Sequence, residues 1–380
     1  MFRFSSKFAA LLCALLLSAC LFNQKAVIKG KGNLKLKEVG FESLNNWAQD
    51  DHKKALQSFI HSCNKFSKMA QSRSIGGQIG DVVVEDFRDV CDIAQIVKSM
   101  SAKQTKNFFE NWFRPFLVET RFGSASGLFT GYYEASLQGS KTKTERFKFP
   151  IYAKPKDLAS DPYLSRKEIE EGALRDKGLE LLYVDDKVDL FFMHIQGSGR
   201  VKMQDGKEIR VTYAGRNNQP FTGVGNYMVD QGLLMRDNLN AATVRKWLKE
   251  NIESNPTKVD EIMNNNVAFT FFKIADGENV VGAQGVPLTA ERSLAVDSDI
   301  IPYGFPIWLE TNLKKKDATK DAYTHLLVAQ DTGSAIKGAV RGDIFFGFGT
   351  DAEEKASYMA SSGNYYLLLP INLVDKLLNR

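Results

Sequence analysis

Ser293-Leu294-Ala295-Val296-Asp297, Asp331-Thr332-Gly333-Ser334-Ala335-Ile336-Lys337-Gly338 and Val340-Arg341-Gly342-Asp343-Ile344-Phe345-Phe346-Gly347 are the stretch on which the reading of this 380-residue chain turns. Each block is a short β-rich run that delivers an aspartate beside glycine, serine or other residues of unusual backbone. Carboxylates held at strand edges can do chemistry. Aspartate is also common in turns, because it accepts hydrogen bonds from nearby backbone N–H groups. On composition alone, turn duty is the plainer reading of Asp297, Asp331 and Asp343.

Working outward, the chain from Gly127 onward alternates short β-rich runs with Gly, Pro, Asn and Asp. Val188 to Ile195 reads as a strand, and runs at 200–203 and 209–213 flank Asp205-Gly206, a hairpin signal. Ser165 to Glu168 fits a capping box opening a short helix, and a second helix is predicted over 239–251 before Pro256. Strands return at 267–274, 306–310, 324–329 and 344–348. Upstream the period changes to helical: Ala55, Leu56, Phe59, Ile60, Cys63 and Phe66, then Val90, Ile93, Ala94 and Val97, then Phe108, Phe109, Trp112 and Phe113. These aromatic stripes read as core before sugar platform. No internal repeat is evident. A mixed but β-dominated chain is expected, barrel-like because its strands are short and glycine-rich.

With 43% apolar, 11% aromatic and 25% charged residues the chain can bury a core, which excludes disorder and predicts one or two domains. The net charge of +5, or +3 without Arg3 and Lys7 of the leader, is too mild to argue for nucleic acid. Four cysteines without a C-x-x-C and histidines at 52, 61, 194 and 325 without ligand spacing predict no zinc and no other cofactor. Residues 1–19 read as a signal peptide, with a basic head and an apolar run from Phe8 to Leu17. No later segment approaches the ~20 apolar residues that span a bilayer. Leu17-Ser18-Ala19-Cys20 resembles the lipobox of bacterial lipoproteins, in which Cys20 would carry lipid and anchor the chain. Lys25, Lys29, Lys31, Lys35 and Lys37 then stud what reads as a solvated tether. Cys63 and Cys91 fall on apolar helix faces, as two buried thiols or one disulfide.

Asp331-Thr332-Gly333-Ser334 matches the D-T-G-[ST] pattern of aspartic proteases, but that chemistry needs two such carboxylates and the chain carries D-T-G once. A wider constellation is more specific. Gly131-Tyr132-Tyr133-Glu134, His194-Ile195-Gln196-Gly197-Ser198-Gly199, Tyr213-Ala214-Gly215-Arg216-Asn217, Ser293 to Asp297, and Asp331 to Gly338 followed by Asp343 resemble, in order, the blocks of the MltA family, whose C-terminal part is the 3D domain. The resemblance runs from about Gly127 to Pro370. It implies a double-psi β-barrel domain built from both chain ends, an inserted smaller β-rich domain and an N-terminal helical segment. Mapped here, residues 1–19 are signal and 20–40 tether, 41–135 with 267–380 form the large domain, and 136–266 the insertion.

The family cleaves the β-1,4 bond between N-acetylmuramic acid and N-acetylglucosamine of peptidoglycan without adding water, leaving a 1,6-anhydromuramyl end. Such cleavage needs a proton for the departing oxygen, hence a carboxyl kept protonated by desolvation. Ile344-Phe345-Phe346 after Asp343 offer apolar neighbours for such desolvation, although adjacent strand residues alternate sides; the resemblance assigns the acid to Asp343 and gives Asp331 and Asp297 supporting roles. Lys337 would point at the substrate or at Asp331, since a cation beside the acid opposes proton donation. Thr130, Tyr132, Gln196, Ser198 and Tyr213 are the expected sugar contacts, polar groups beside glycine where a glycan can approach backbone. Two rivals remain: a muramidase-type hydrolase, with a second carboxylate activating water, and a non-catalytic peptidoglycan-binding lipoprotein. A periplasmic, lipid-anchored place completes the expectation, at the outer rather than the inner membrane as the resemblance implies, with Leu21 rather than an aspartate after the cysteine.

Overall fold

The computed structural model describes residues 25–158, 162–277 and 279–379, so the leader and Cys20 lie outside the described residues. Asp51 caps helix α1 (His52–Phe66) by accepting from Lys54 N, and the predicted apolar face of α1 is buried. Helices α2 (Arg88–Val97) and α3 (Ala102–Trp112) pack on it, α3 opened by a Ser101–Gln104 capping box. Rings of Phe59, Phe108, Phe109 and Phe113 lie 5.0–6.5 Å apart, so the aromatic stripes are core. Cys63 and Cys91 form a disulfide that ties α1 to α2.

The strands are β1 (Val27–Lys29), β2 (Leu34–Glu38), β3 (Phe113–Thr120), β4 (Gly127–Ser140), β5 (Phe149–Tyr152), β6 (Glu180–Val184) and β7 (Ser198–Met203). They continue as β8 (Glu208–Arg216), β9 (Thr270–Ile274), β10 (Ser293–Val296), β11 (Pro306–Lys314), β12 (Lys320–Asp331), β13 (Arg341–Phe348) and β14 (Ala360–Pro370). Where the lysine-studded segment suggests a solvated tether, β1 and β2 instead form a hairpin added to β3. Alternation explains it: Leu34 and Leu36 are buried while Lys35 reaches Glu119 at 2.7 Å.

Pairing then runs β3–β14–β11–β12, all antiparallel, to β10 in parallel, to β13 antiparallel and to β4 in parallel. The first residues of β4 also pair antiparallel with β14. Beyond Glu134, β4 leaves β13 and pairs with β7, and its last residues with β6. β7 and β8 form the predicted hairpin, followed by β9, while β5 pairs with β6. One long strand therefore serves two groups of strands, and the architecture is mixed α and β and strand-rich.

Val188 to Ile195, expected as a strand, is the core of helix α4 (Lys187–Gln196). A continuous apolar run cannot distinguish a buried strand from a helix buried on several sides. Here Val188, Phe191 and Phe192 enter one apolar cluster while Leu190 and Met193 enter the main core. Asp186 caps the start of α4 and Gly197, at φ 80°, ends it. The first cluster is completed by α5 (Val224–Asp230), α6 (Ala241–Asn251) and α7 (Pro256–Asn265). Pro256 opens α7, its missing N–H falling where the first turn has no acceptor for it. Helices α8 (Thr350–Tyr358) and α9 (Ile371–Leu378) flank β14 in sequence.

Candidate active site

Register places Asp343 of β13 opposite Thr130 of β4, and Phe345 opposite Tyr132. Because strand side chains alternate, Arg341, Asp343 and Phe345 share one face with Thr130 and Tyr132. Thr130 Oγ1 donates to Asp343 Oδ1 at 2.6 Å, and Arg341 Nη2 donates to Thr130 Oγ1 at 2.8 Å. The Tyr132 ring packs 5.2 Å from that of Phe345, and its hydroxyl donates to Asp331 Oδ2 at 2.7 Å. Asp331 Oδ1 accepts from Ala283 N and Thr332 N, both at 2.9 Å.

The end of β12 that carries Asp331 is fixed from beneath by its buried neighbour Gln330. Its Oε1 accepts from Ser58 Oγ at 2.9 Å and Ser293 Oγ at 2.6 Å, and its Nε2 donates to Ser58 O and Ser62 Oγ. Helix α1 thus helps to set a carboxylate that lies far from it in sequence.

Burial pushes the Asp343 carboxyl above its ordinary value and nearby Asp331 adds to this, while Arg341 and the Thr130 hydrogen bond pull the other way without reversing it. Burial likewise raises Asp331 against the pull of its three donors. The Tyr132 hydroxyl is held well above its usual range by burial and by the charges of Asp331 and Asp343, so it stays a proton donor.

Asp297 belongs to a separate network: Oδ2 accepts from Gly338 N at 2.8 Å and Oδ1 from Lys337 Nζ at 3.2 Å. Lys337, expected at Asp331 or the substrate, instead joins Asp297 and Asp299, the latter at 3.0 Å. Gly338 at φ 115° turns the chain there, so Lys337 is anchored to the 297–299 turn. Gln196 Oε1 accepts from Tyr133 N at 3.0 Å. Ser198 is buried at the start of β7, and Tyr213 on β8 is half-exposed. The structure therefore gathers Asp343, Asp331, Thr130 and Tyr132, sets Asp297 with Lys337 apart, ties Gln196 to β4 at Tyr133 and pairs Ser198 with Thr212 of β8.

Sequence reasoning overlooked Arg341, although its place two residues before Asp343 on a strand was a signal for a shared face. It also overlooked Glu134, fully buried and paired with Arg200 and with Arg210, the latter at 2.8 Å. Arg200 in turn lies against the exposed ring of Phe348, 3.8 Å from its centroid. Among the described residues no group of three or more His, Cys, Asp or Glu is placed to hold a metal.

The chain is similar to known proteins both in sequence and in fold. The model of the MltA specific insert domain matches residues 128–273, and that of the 3D domain residues 292–369. Membrane-bound lytic murein transglycosylase A of Vibrio cholerae is 34% identical over 244 residues, 63% of this chain and 65% of the relative's length. The crystal structure of a membrane-bound lytic murein transglycosylase from Agrobacterium tumefaciens superposes with a TM-score of 0.80 at 30% identity, covering 90% of this chain and 99% of that one. E. coli MltA with bound chitohexaose gives 0.69 at 25% identity, covering 92% and 95%. With the insert and the 3D domain following one another and a solved relative matched almost end to end, the chain belongs to the MltA family.

Proposed function

We propose that this chain is a lytic transglycosylase of peptidoglycan in which Asp343 alone does the proton work. The observation that carries the reading is the Asp343 carboxyl, raised by burial, with Oδ1 held by Thr130 and, among the described residues, no hydrogen bond to Oδ2. Its proton passes to the bridging oxygen as the bond from the anomeric carbon to that oxygen breaks. The resulting carboxylate takes the proton of the muramyl C6 hydroxyl as that oxygen bonds to the anomeric carbon, so no water is consumed. Asp331, the obvious second carboxylate, is occupied by three donors, which favours lysis over hydrolysis. Asp297 and Lys337 support the turn behind the site, and Tyr132, Gln196, Ser198 and Tyr213 line the path of the glycan. The chitohexaose complex of the E. coli relative supports an oligosaccharide substrate.

Several finer features belong to the same reading. The strands β14, β11, β12, β10, β13 and β4, whose pairings return from β4 to β14, would form the double-psi barrel, with residues 136–266 as the insertion. Among the described residues no helix is long and apolar enough to cross a membrane. Attachment would come from lipid on Cys20, in a periplasmic lipoprotein of the outer membrane, in keeping with relatives named membrane-bound.

The test is digestion of purified sacculi followed by mass spectrometry. Products ending one water lighter than the hydrolytic ones support the proposal. Hydrated ends would make the chain a muramidase, and no release at all a binding protein. Anhydro products from an Asp343→Asn protein would overturn the acid assignment.

A further inference from the structure

Thr130 has one hydroxyl proton, and two groups meet its oxygen. Arg341 Nη2, 2.8 Å away, belongs to a guanidinium that can only donate, so Thr130 Oγ1 must accept there. The hydroxyl proton is left for Asp343 Oδ1 at 2.6 Å. Arg341 is itself steadied by Leu128 O at 3.3 Å and by Gly342 O. All three side chains lie on one face of the β4–β13 pair, Thr130 directly across from Asp343. We infer that Arg341 is a positioning residue for the reaction, acting through Thr130 to keep Asp343 Oδ1 an acceptor and so leave Oδ2 to carry the proton that is given away. The inference rests on the reading of Asp343 as the acid.

The relay has a second consequence. Once Asp343 has given up its proton, the hydrogen bond at Oδ1 becomes charge-assisted, and the guanidinium behind Thr130 polarises it further. The groups facing Asp343 from each packed element are few. Arg341 on β13 is the cation, Thr130 and Tyr132 come from β4, Asp331 from the end of β12, and Ala295 opposite on β10 brings no charge. Arg341 and Asp331 thus pull the same carboxyl in opposite directions, and burial decides the balance.

The experiment compares wild type with Arg341→Met, Arg341→Lys, Thr130→Val and Thr130→Ser. The titration midpoint of the Asp343 carboxyl carbon is followed by NMR, assigned by its loss in Asp343→Asn. Alongside it, kcat and KM on sacculi are measured across pH. Arg341→Met and Thr130→Val are expected to raise the midpoint and the alkaline limb of kcat/KM by about one pH unit, because an opposite charge or a donor to the charged form has been removed. They also lower kcat about ten- to a hundredfold with little change in KM, the size expected for a hydrogen bond to a charged group. Arg341→Lys and Thr130→Ser should return both quantities toward wild type. A purely structural arginine would lower thermal stability and leave the midpoint in place, and that result overturns the inference. If Arg341→Met does not fold, the Thr130 pair decides by the same criteria. Failure of the acid reading is seen separately, as anhydro products from Asp343→Asn. An inactive Asp343→Asn with an unmoved midpoint in both Arg341→Met and Thr130→Val overturns this inference alone.

Discussion

Asp50 and Arg292 form a two-pronged buried ion pair, Oδ2 accepting from Nη1 at 2.7 Å and Oδ1 from Nη2 at 2.9 Å. His325 Nδ1 at 2.8 Å and Leu326 N at 3.0 Å complete the shell around the carboxylate. The pair joins the entry of α1 to the segment leading into β10, and hence the helices to the strands that present the candidate site.

Burial pushes the Asp50 carboxyl up, but the hydrogen bonds from His325, Arg292 and Leu326, with the charge of Arg292, overcome it and hold the group well below the usual carboxylate range. A carboxylate depressed in the folded state contributes stability that is fully present above its unfolded pKa of about 3.9 and is lost as pH falls through the folded value. Asp50→Asn is therefore expected to cost about 3–5 kcal/mol at pH 7, because it strands a buried guanidinium. Urea unfolding at pH 7 and pH 3 checks it. The gap between variant and wild type should narrow at the lower pH, and an unchanged midpoint at pH 7 would sink the claim.

His194 sets a different window. Its Nδ1 faces Arg166 Nη1 at 3.2 Å, and since guanidinium only donates, the imidazole is neutral with its proton on Nε2. Burial and then the Arg166 charge hold His194 well below its ordinary value, and burial lowers His52 as well. A histidine that refuses a proton when folded loses stability as pH falls below its unfolded pKa of about 6.5. His194 alone should cost about 1.4 kcal/mol at pH 5.5 relative to pH 7.5. Denaturant midpoints across that range measure it, and His194→Asn should flatten the slope by about one proton.

The sequence carried much of this and left the rest hidden for physical reasons. The helix faces around Phe59 and Phe109 and the hairpin at Asp205-Gly206 were legible because periodicity and turn chemistry are local. Helix α4 was not, because a run buried on several sides has no period to read. The lysines at 35 and 37 suggested a tether, since pairing with β3 depends on residues some eighty positions away. The blocks around Asp331 and Asp343 marked where to look, but not that Lys337 turns to Asp297, that Tyr132 serves Asp331 or that Arg341 stands behind Thr130. Those are facts of register between distant strands.

The Cys63–Cys91 disulfide closes a loop of 28 residues between α1 and α2. Chain-entropy arguments give such a loop about 3–4 kcal/mol of stabilisation. A Cys63→Ala/Cys91→Ala protein is expected to unfold at correspondingly lower denaturant, and a reducing agent should lower the wild-type midpoint but not that of the double variant. Because α1 supplies Ser58 and Ser62 to Gln330, the loss should come with reduced activity at temperatures where wild type is still fully active.

The charge of Asp331 raises Asp343, and that of Arg341 lowers it. Removing the first should therefore move the acid in the opposite direction from removing the second. Asp331→Asn takes away a like charge, so the Asp343 pKa falls and the alkaline limb of the kcat/KM profile moves to lower pH. Tyr132→Phe strips one of the three donors from Asp331 while keeping the ring against Phe345. It should raise the Asp331 pKa and cost about 1–3 kcal/mol of stability for a buried acceptor left without its partner. Where Asp331 becomes protonated, Tyr132→Phe and Asp331→Asn should converge on the same displaced profile. If the Asp331→Asn profile instead moves upward, or if it keeps the wild-type limb with full activity, Asp331 is not an electrostatic neighbour of the acid and its role lies only in holding the turn at Ala283 and Thr332.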